Sequence, residues 1–397
     1  MPRFVLSSCV ALAVVAGTPA PVRAQDGASP WTFMYEGALL ATFNHQGGPR
    51  GGDQFLSTNW LMGMAERRAG PGKLTLTGMI SLDPATATGA GYREIFQAGE
   101  AYRGKPIADR QHPHDFLMQA AASWRIPVGG GTSITFTGAP VGEPALGPVA
   151  FMHRASAGDN PAAPLSHHTL DSTHIAMEVL TAGIDRGPWA VESSIFRGRE
   201  PDDKRWDLVD RGPLDSWSAR VWFQPSSRLQ IQASHGFLKS PEEFEPGDVR
   251  RTTASLSWWR NHAGGYTALT AAYGRNDKAD GAFNAFLVEA TSRRGDLSIY
   301  SRLENLQVEA ALLAGLSEAD HSAVRLTAFT AGAVREISHW KQFDIGLGAD
   351  LTAYRVPEAL QPSHGSRPLS FHAFLRIRPP AGHMGRMWDM RMGRPLM

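Results

Sequence analysis

The alternation of short and long connections between strand-like segments constrains this fold more than any motif. After residue 30, sixteen segments read as β-strands, and tight turns such as Arg186-Gly187-Pro188 alternate with long polar stretches such as 141–171. An up-and-down barrel in an outer membrane has this layout, with short turns on one side and long loops on the other. The sequence therefore predicts an all-β protein: a transmembrane antiparallel β-barrel of about 16 strands, with short periplasmic turns and long extracellular loops.

The predicted strands share a two-residue period, which is typical of strands with two different faces. In one of them Leu297, Ile299 and Leu303 lie on the first face. Arg302 and Glu304 lie on the second face, where charges need water or partners. The predicted strands are 32–44, 54–68, 73–82, 116–126, 132–140, 172–185, 188–197, 215–224, 228–237, 250–262, 265–275, 283–294, 296–306, 322–335, 340–354 and 368–378.

A soluble β-sandwich would show the same alternation with its apolar face turned inward. Three features favour the membrane barrel over the sandwich. Several segments exceed the roughly ten residues that a tilted strand needs to cross a bilayer. The strand count is even, and tryptophans near the short turns resemble an interfacial girdle. These are Trp124, Trp189, Trp258, Trp259 and Trp340.

The N-terminus reads as a secretory signal peptide over residues 1–24. Arg3 precedes the apolar stretch 4–17, and Val22-Arg23-Ala24 provides a cleavage site. The expected location is therefore the outer membrane of a Gram-negative bacterium, with the barrel over 30–378 and a Met-rich tail over 379–397. Cys9, the only cysteine, would be removed with the signal, which leaves strand pairing and packing to stabilise the barrel. A formal net charge of +1 suggests no nucleic-acid partner.

The inward face of the predicted barrel carries charges of both signs. Opposite charges on facing walls screen polar solutes in some channels, whereas in a plugged barrel they would pair with one another. Sixteen strands leave an aqueous channel unless loops fill it, and the long loops 83–115 and 141–171 are the expected constriction. The predicted lumen and constriction residues are Asp109, Arg110, Glu178, Glu192, Arg220, Arg302, Glu304, Asp344, Asp350 and Arg376.

Histidines and carboxylates concentrate in the same two loops, which belong to neighbouring hairpins. Imidazole and carboxylate together form a common first coordination shell for Zn²⁺ or Cu²⁺. Loops packed into a barrel mouth also need such side chains for hydrogen bonds, so a structural role stays open. The candidate metal ligands are His112, His114, Asp115, His153, His167, His168, Asp171 and His174. In the tail, Met384, Met387, Met390, Met392 and Met397 either form a soft Cu(I) site or belong to a disordered extension.

Three segments, 109–116, 142–154 and 159–174, carry a family resemblance. They resemble segments of uncharacterised exported bacterial proteins, a family of porin-like outer-membrane β-barrels that are sometimes encoded near metal-handling systems. The resemblance covers mainly residues 100–185. It implies an exported barrel, and it favours the metal hypothesis.

The leading functional hypothesis is a porin-like channel for small polar solutes or ions, without enzymatic activity. It would contact outer-membrane lipid as a monomer or as a homo-oligomer. The alternative is a barrel that binds copper or zinc and serves metal handling. An outer-membrane hydrolase is the least favoured reading, because His364-Gly365-Ser366 lies in a predicted loop and matches turn chemistry. That reading would require a serine–histidine contact in the folded protein.

Overall fold

The computed structural model describes residues 30–243, 247–279, 281–314 and 323–380. The predicted signal peptide 1–24 lies outside the described residues, and so does the part 381–397 of the predicted tail.

One closed antiparallel barrel of sixteen strands dominates the fold, with a separate hairpin of β4 and β5. The strands are β1 (Thr32–Gln46), β2 (Gly52–Ala69), β3 (Gly72–Ile80), β4 (Tyr92–Ala101), β5 (Pro106–Gln111), β6 (Leu117–Gly129), β7 (Thr132–Gly142), β8 (Ala176–Arg186), β9 (Trp189–Arg197), β10 (Ser216–Ser226), β11 (Leu229–Leu238), β12 (Val249–His262), β13 (Gly265–Lys278), β14 (Gly281–Arg294), β15 (Leu297–Glu309), β16 (Ala323–Trp340), β17 (Phe343–Arg355) and β18 (Leu369–Arg378). Pairing of β1 with β18, with Leu39 opposite Ile377, closes the barrel. The predicted number of strands and the predicted topology are confirmed.

The outer surface of the barrel is apolar and its interior is polar. On β15, Leu297, Ile299 and Leu303 are 44%, 59% and 45% exposed. Arg302 and Glu304, which alternate with them, are only 3% and 4% exposed. This arrangement is the reverse of a soluble sandwich and matches a barrel whose outer face meets hydrocarbon.

The connections differ at the two ends of the barrel, as predicted. Within the described residues, the short end has two-residue turns at 70–71, 130–131, 187–188, 227–228, 263–264, 295–296 and 341–342. The other end, called here the long-loop end, carries 81–116, 143–175, 198–215, 239–248 and 356–368. The predicted strands 265–275 and 283–294 leave 276–282 as a long connection, and this prediction is wrong, because β13 and β14 extend into it and leave only 279–280 between them.

Short helices occur only in the connections of the described chain. They are α1 (Asp83–Thr86), α2 (His167–Leu170), α3 (Ala310–Ala314) and α4 (Gln361–His364). Among the described residues, no helix is long and apolar enough to cross a bilayer.

The hairpin of β4 and β5, called here the inserted hairpin, lies within a segment that the sequence predicted to be a loop. Its buried residues Ile95 and Phe96 belong to an apolar cluster with Leu313, Tyr354 and Leu360. This cluster therefore joins the hairpin to α3, β17 and the connection before β18 at the long-loop end.

Candidate functional site

The segment 143–175, called here the crossing loop, spans the lumen and binds to strands around most of the barrel. Arg154 lies near its middle and is buried. Its Nε donates to Glu289 of β14 at 2.6 Å, and its Nη1 donates to Asp171 of the same loop at 2.6 Å. Further along, the backbone N–H and the hydroxyl of Ser166 donate to Glu304 of β15 at 2.9 and 2.6 Å. The crossing loop is thus fixed to the wall by charged hydrogen bonds.

Asp159 provides another buried attachment of the crossing loop. Its carboxylate pairs with Arg376 and with Arg378, the latter at 2.9 Å, both on β18. Burial alone would raise the pKa of Asp159, but the guanidinium groups of Arg378 and Arg376 outweigh it and lower the pKa to about 2. Asp159 is therefore ionised at neutral pH, as an ion pair requires.

The inserted hairpin is held at the long-loop end through Asp109. One oxygen of this carboxylate accepts the backbone N–H of Phe96 at 2.8 Å and lies 2.8 Å from Nε2 of His364. The other accepts from Nε of Arg50 at 2.5 Å. Phe96 and Asp109 both have a left-handed backbone, with φ of 69° and 56°. Such strain persists only where the surroundings impose it, so the hairpin is held in place by its contacts.

Most of the predicted lumen residues pair with partners instead of lining an open channel. Glu192 accepts from Arg220 and Trp222, whereas Asp350 accepts from Tyr300 and lies 2.8 Å from His372. Arg302 and Glu304 contact the crossing loop, as does Arg376.

The last three predicted lumen residues also have polar partners. Arg110 donates to the carbonyl of Gly91 at 3.0 Å, and Asp344 lies 2.7 Å from His339. Glu178 sits at a bulge of β8 and accepts from the backbone N–H of Gly212 in a rim loop, because the irregular register interrupts the alternation there.

Five of the predicted metal ligands form one cluster at the long-loop end, called here the histidine cluster. It brings the two long loops together, because two members come from 81–116 and three from the crossing loop. Neighbouring ring centroids lie 5.1 to 6.5 Å apart. The members are His112, His114, His167, His168 and His174.

Three rings of the histidine cluster are oriented through Nδ1. His167 Nδ1 lies 2.7 Å from a carboxylate oxygen of Asp171, and His174 Nδ1 lies 2.9 Å from the carbonyl of Asp171. His114 Nδ1 lies 2.9 Å from the carboxylate of Asp83. Metal-binding histidines are usually oriented in this way, with the opposite nitrogen directed at the ion. The buried Nε2 of His174 has no hydrogen-bond partner among the described residues.

Burial keeps several of these imidazoles neutral. It lowers the pKa of His112 and His174 well below the ordinary value, and neighbouring positive groups such as Arg205 lower the pKa of His112 further. Burial also lowers the pKa of His167, although Asp171 opposes this effect. Neutral imidazole is the form that binds metal ions.

His168 lies near two carboxylates that the sequence pattern did not predict as ligands. Its Nδ1 lies 3.8 Å from Glu200 and 4.0 Å from Glu242, and the ligand atoms of the three residues all lie within 4.8 Å of one another. The two glutamates come from separate rim loops, 198–215 and 239–248, so only the folded barrel brings them together. The described residues contain one other such group, the acidic Asp202, Asp207 and Asp210 near the rim.

Of the three other predicted ligands, Asp171 pairs with Arg154 and orients His167, and the other two have structural contacts of their own. Asp115 pairs with Arg205 at 3.0 Å, and its pKa is about 6 because burial raises it more than Arg205 lowers it. His153 packs edge-on against Trp60, and its Nδ1 lies 3.4 Å from the carboxylate of Glu36.

Three cavities follow one another from the histidine cluster to the short-turn end. The upper cavity, of about 10 Å³, is bordered by His112, His114, His174 and Glu200. The middle cavity, of about 140 Å³, also borders His174. The mouth cavity, of about 480 Å³, shares Lys73 and Arg125 with the middle cavity. Shared lining residues therefore link the His168–Glu200–Glu242 group to the opposite end of the barrel.

A serine–histidine contact of the kind that a hydrolase would need is present. Ser363 Oγ lies 2.8 Å from Nδ1 of His364, whose Nε2 faces Asp109. The same hydroxyl donates to the carbonyl of Leu360 at 3.1 Å, and Ser363 borders none of the three cavities. The Ser363–His364 contact lies within α4, and the contact of His364 with Asp109 attaches α4 to the inserted hairpin.

The inserted hairpin contains a buried acid, Glu94, whose pKa is unusually high. Burial, together with the negative charge of Glu304, raises the pKa of Glu94 from 4.5 to about 8, and Arg302 opposes this only in part. The folded hairpin therefore holds a proton that the unfolded chain releases between these values. We therefore expect docking of the hairpin to be strongest below pH 4.5 and to weaken as the pH rises through about 8.

We expect amide hydrogen exchange in 92–111 to be several-fold faster at about pH 9 than at about pH 6, after correction for the intrinsic rate. Glu94→Gln should remove this difference because its side chain does not ionise. Equal pH dependence in the wild type and in Glu94→Gln would contradict the assignment.

Several solved outer-membrane proteins share the fold at low sequence identity. OprB of Pseudomonas putida aligns with a TM-score of 0.54 and 11% identity, over 88% of this chain and 94% of OprB. OmpF of Salmonella typhi, in complex with daunomycin, aligns with a TM-score of 0.53 and 10% identity, over 88% of this chain and 98% of OmpF. A loop L8 deletion mutant of OmpT, an outer membrane protein of Vibrio cholerae, aligns with a TM-score of 0.52 and 10% identity, over 88% of this chain and 99% of the mutant. Neither a protein-family model nor a curated protein matches the chain. The chain thus has the barrel fold of these outer-membrane proteins.

Proposed function

We propose that this protein is a metal-handling barrel of the bacterial outer membrane. It binds a transition-metal ion, Zn²⁺ or Cu²⁺, at the long-loop end and passes it through a filled lumen. The single observation that carries the proposal is the series of shared lining residues: Glu200 joins the His168 group to the upper cavity, and His174 joins the upper cavity to the middle one.

The ligand types suit this cargo. Imidazole and carboxylate bind Zn²⁺ and Cu²⁺ well, and rings oriented by carboxylates or carbonyls bind more tightly than free rings. The carboxylates of Glu200 and Glu242 lie at the rim, where they attract a cation from solution. The neutral, buried imidazoles behind them offer nitrogen ligands without adding positive charge.

Metal binding tests the proposal directly. The full-length protein without a His tag is titrated with Zn²⁺ in detergent, by calorimetry, and compared with His112→Ala/His168→Ala. We expect the double variant to bind at least about ten-fold more weakly, because it removes one ring bordering the upper cavity and the ring next to Glu200 and Glu242.

A matched control is His235→Ala, which removes an exposed outward-facing imidazole that contacts Thr252. This variant should bind Zn²⁺ as the wild type does. No measurable Zn²⁺ or Cu²⁺ binding by the wild type, or equal binding by His112→Ala/His168→Ala, would refute the proposal.

A channel for small polar solutes is the second candidate, and the shared fold and the mouth cavity favour it. In planar bilayers, a steady conductance of the wild type in simple salts would support this candidate. A closed wild-type barrel that binds metal would support the first proposal instead.

A further inference from the structure

The methionines of the chain are distributed very unevenly. The sequence contains 13, and every methionine among the described residues belongs to one apolar cluster on one side of the lumen. The other large clusters consist of Leu, Ile, Val, Ala and aromatic residues, so packing in this barrel does not in itself require methionine. The members of this methionine cluster are Met34, Met62, Met64, Met79, Met118, Met152 and Met177.

Strand register aligns several of these thioethers on the lumenal face. Met34 of β1 lies directly opposite Met64 of β2, and Met62 of β2 lies directly opposite Met79 of β3. Side chains of directly opposite residues share a face, with Cβ atoms about 4.5–5.5 Å apart. Three neighbouring strands therefore present a continuous row of sulfur-bearing side chains.

This row faces space that could hold an ion. Met62, Met64 and Met79 border the middle cavity, whose volume of about 140 Å³ exceeds that of one ion with some water. His153 and His174 border the same cavity, and the buried Nε2 of His174 has no hydrogen-bond partner among the described residues. The cavity thus combines thioether sulfur with an available imidazole nitrogen.

We propose that the methionine cluster binds a soft monovalent metal ion, Cu(I) or Ag(I), through the thioethers of Met62, Met64 and Met79. The inference rests on the proposed function in taking a metal ion as the cargo. Thioether ligands select Cu(I), whereas imidazole and carboxylate accept Zn²⁺ and Cu²⁺. The lumen therefore holds two sites of different chemistry, a borderline site at the long-loop end and a soft site below it.

Silver(I) nitrate in chloride-free buffer is the probe, because Ag(I) shares the ligand preference of Cu(I) and is stable in air. The full-length protein is titrated by calorimetry and compared with Met62→Leu/Met64→Leu/Met79→Leu. Leucine keeps the volume and apolar character of methionine, so the barrel should fold. We expect the variant to lose one bound Ag(I), or to bind it at least about 100-fold more weakly. The tail methionines are the same in both proteins, so a difference in Ag(I) binding between them is due to the methionine cluster.

The histidine variant separates this proposal from the previous one. His112→Ala/His168→Ala should lose Zn²⁺ affinity and keep the Ag(I) site, whereas the leucine variant should do the reverse. Wild-type Ag(I) binding by the leucine variant would overturn the methionine site and leave the histidine site standing. Loss of both metals in the leucine variant would also overturn it, since the two sites would not be distinct.

Heat-modifiable migration on gels checks that the leucine variant is folded. If it is not, the single variants Met62→Leu and Met79→Leu replace it, one from each strand of a register pair. Each should weaken Ag(I) binding at least about five-fold, because it removes one thioether. Unchanged affinity in both single variants would overturn the proposal.

Discussion

Replacement of residues 144–174 by a short Asn-Gly turn is expected to change a closed barrel into a steadily conducting pore. The crossing loop occupies the centre of the lumen, and barrels of 16 to 18 strands without such filling leave an aqueous channel. The replacement is geometrically simple because Gly142 and Ala176 already face each other in register, so β7 and β8 can be joined by a tight turn. Planar-bilayer recording should show conductance at least about ten-fold above the wild type.

The control for this replacement shortens another long connection. Leu238 and Val249 are also opposite in register, so 240–247 can be replaced by the same turn. That loop lies at the rim, and its loss should leave conductance unchanged. A crossing-loop variant that folds but conducts no better than the wild type would show that the inserted hairpin alone seals the barrel.

The second large effect is expected from Asp159→Asn. This change leaves Arg376 with one carboxylate partner, Glu336 at 2.5 Å, and leaves the buried Arg378 with Glu336 only at 3.8 Å. Removing one partner of a buried ion pair typically costs about 3–5 kcal/mol, since the other charge stays uncompensated. We expect the free energy of unfolding in urea, followed by gel migration, to fall by about this amount.

An exposed acid provides the comparison for Asp159→Asn. Asp202 pairs with Lys204 at 3.2 Å on the surface, where such pairs contribute about 0–1 kcal/mol. Asp202→Asn should therefore leave the free energy of unfolding almost unchanged. A similar small loss for Asp159→Asn would mean that the crossing loop docks without this ion pair.

The architecture could be predicted from the sequence because apolar and polar residues alternate along each strand and so define its two faces. Leu297, Ile299 and Leu303 alternate with Arg302 and Glu304, and this local pattern requires no knowledge of distant residues. The short turns also predicted the topology, because a two-residue connection can join only antiparallel neighbouring strands. The inserted hairpin was missed because Ile95 and Phe96 are adjacent, so its apolar residues do not follow the strand period.

The histidine cluster could be anticipated only in outline. The residues were recognisable as imidazole and carboxylate in two neighbouring loops, but Glu200 and Glu242 come from other loops and meet His168 only in the closed barrel.

The methionine cluster left one readable signal in the sequence. Trp60, Met62 and Met64 share a face of β2 with Glu66, while Leu61 lies on the other face, so this strand is apolar on both sides. Such a strand has to pack against something inside the barrel.

Under the proposed function, the crossing loop would also limit the rate of ion passage. The crossing loop is attached to β18 through Asp159 and, on the far side of the barrel, to β9 and β11 through the backbone N–H groups of Ala145 and Gly147. The lumen therefore cannot widen as a whole without breaking buried ion pairs and hydrogen bonds of this loop. An ion would have to move by exchanging one set of ligands for the next while the scaffold stays still. Such a barrel would transport single ions slowly and selectively, and its transport rate would saturate at low concentrations of metal.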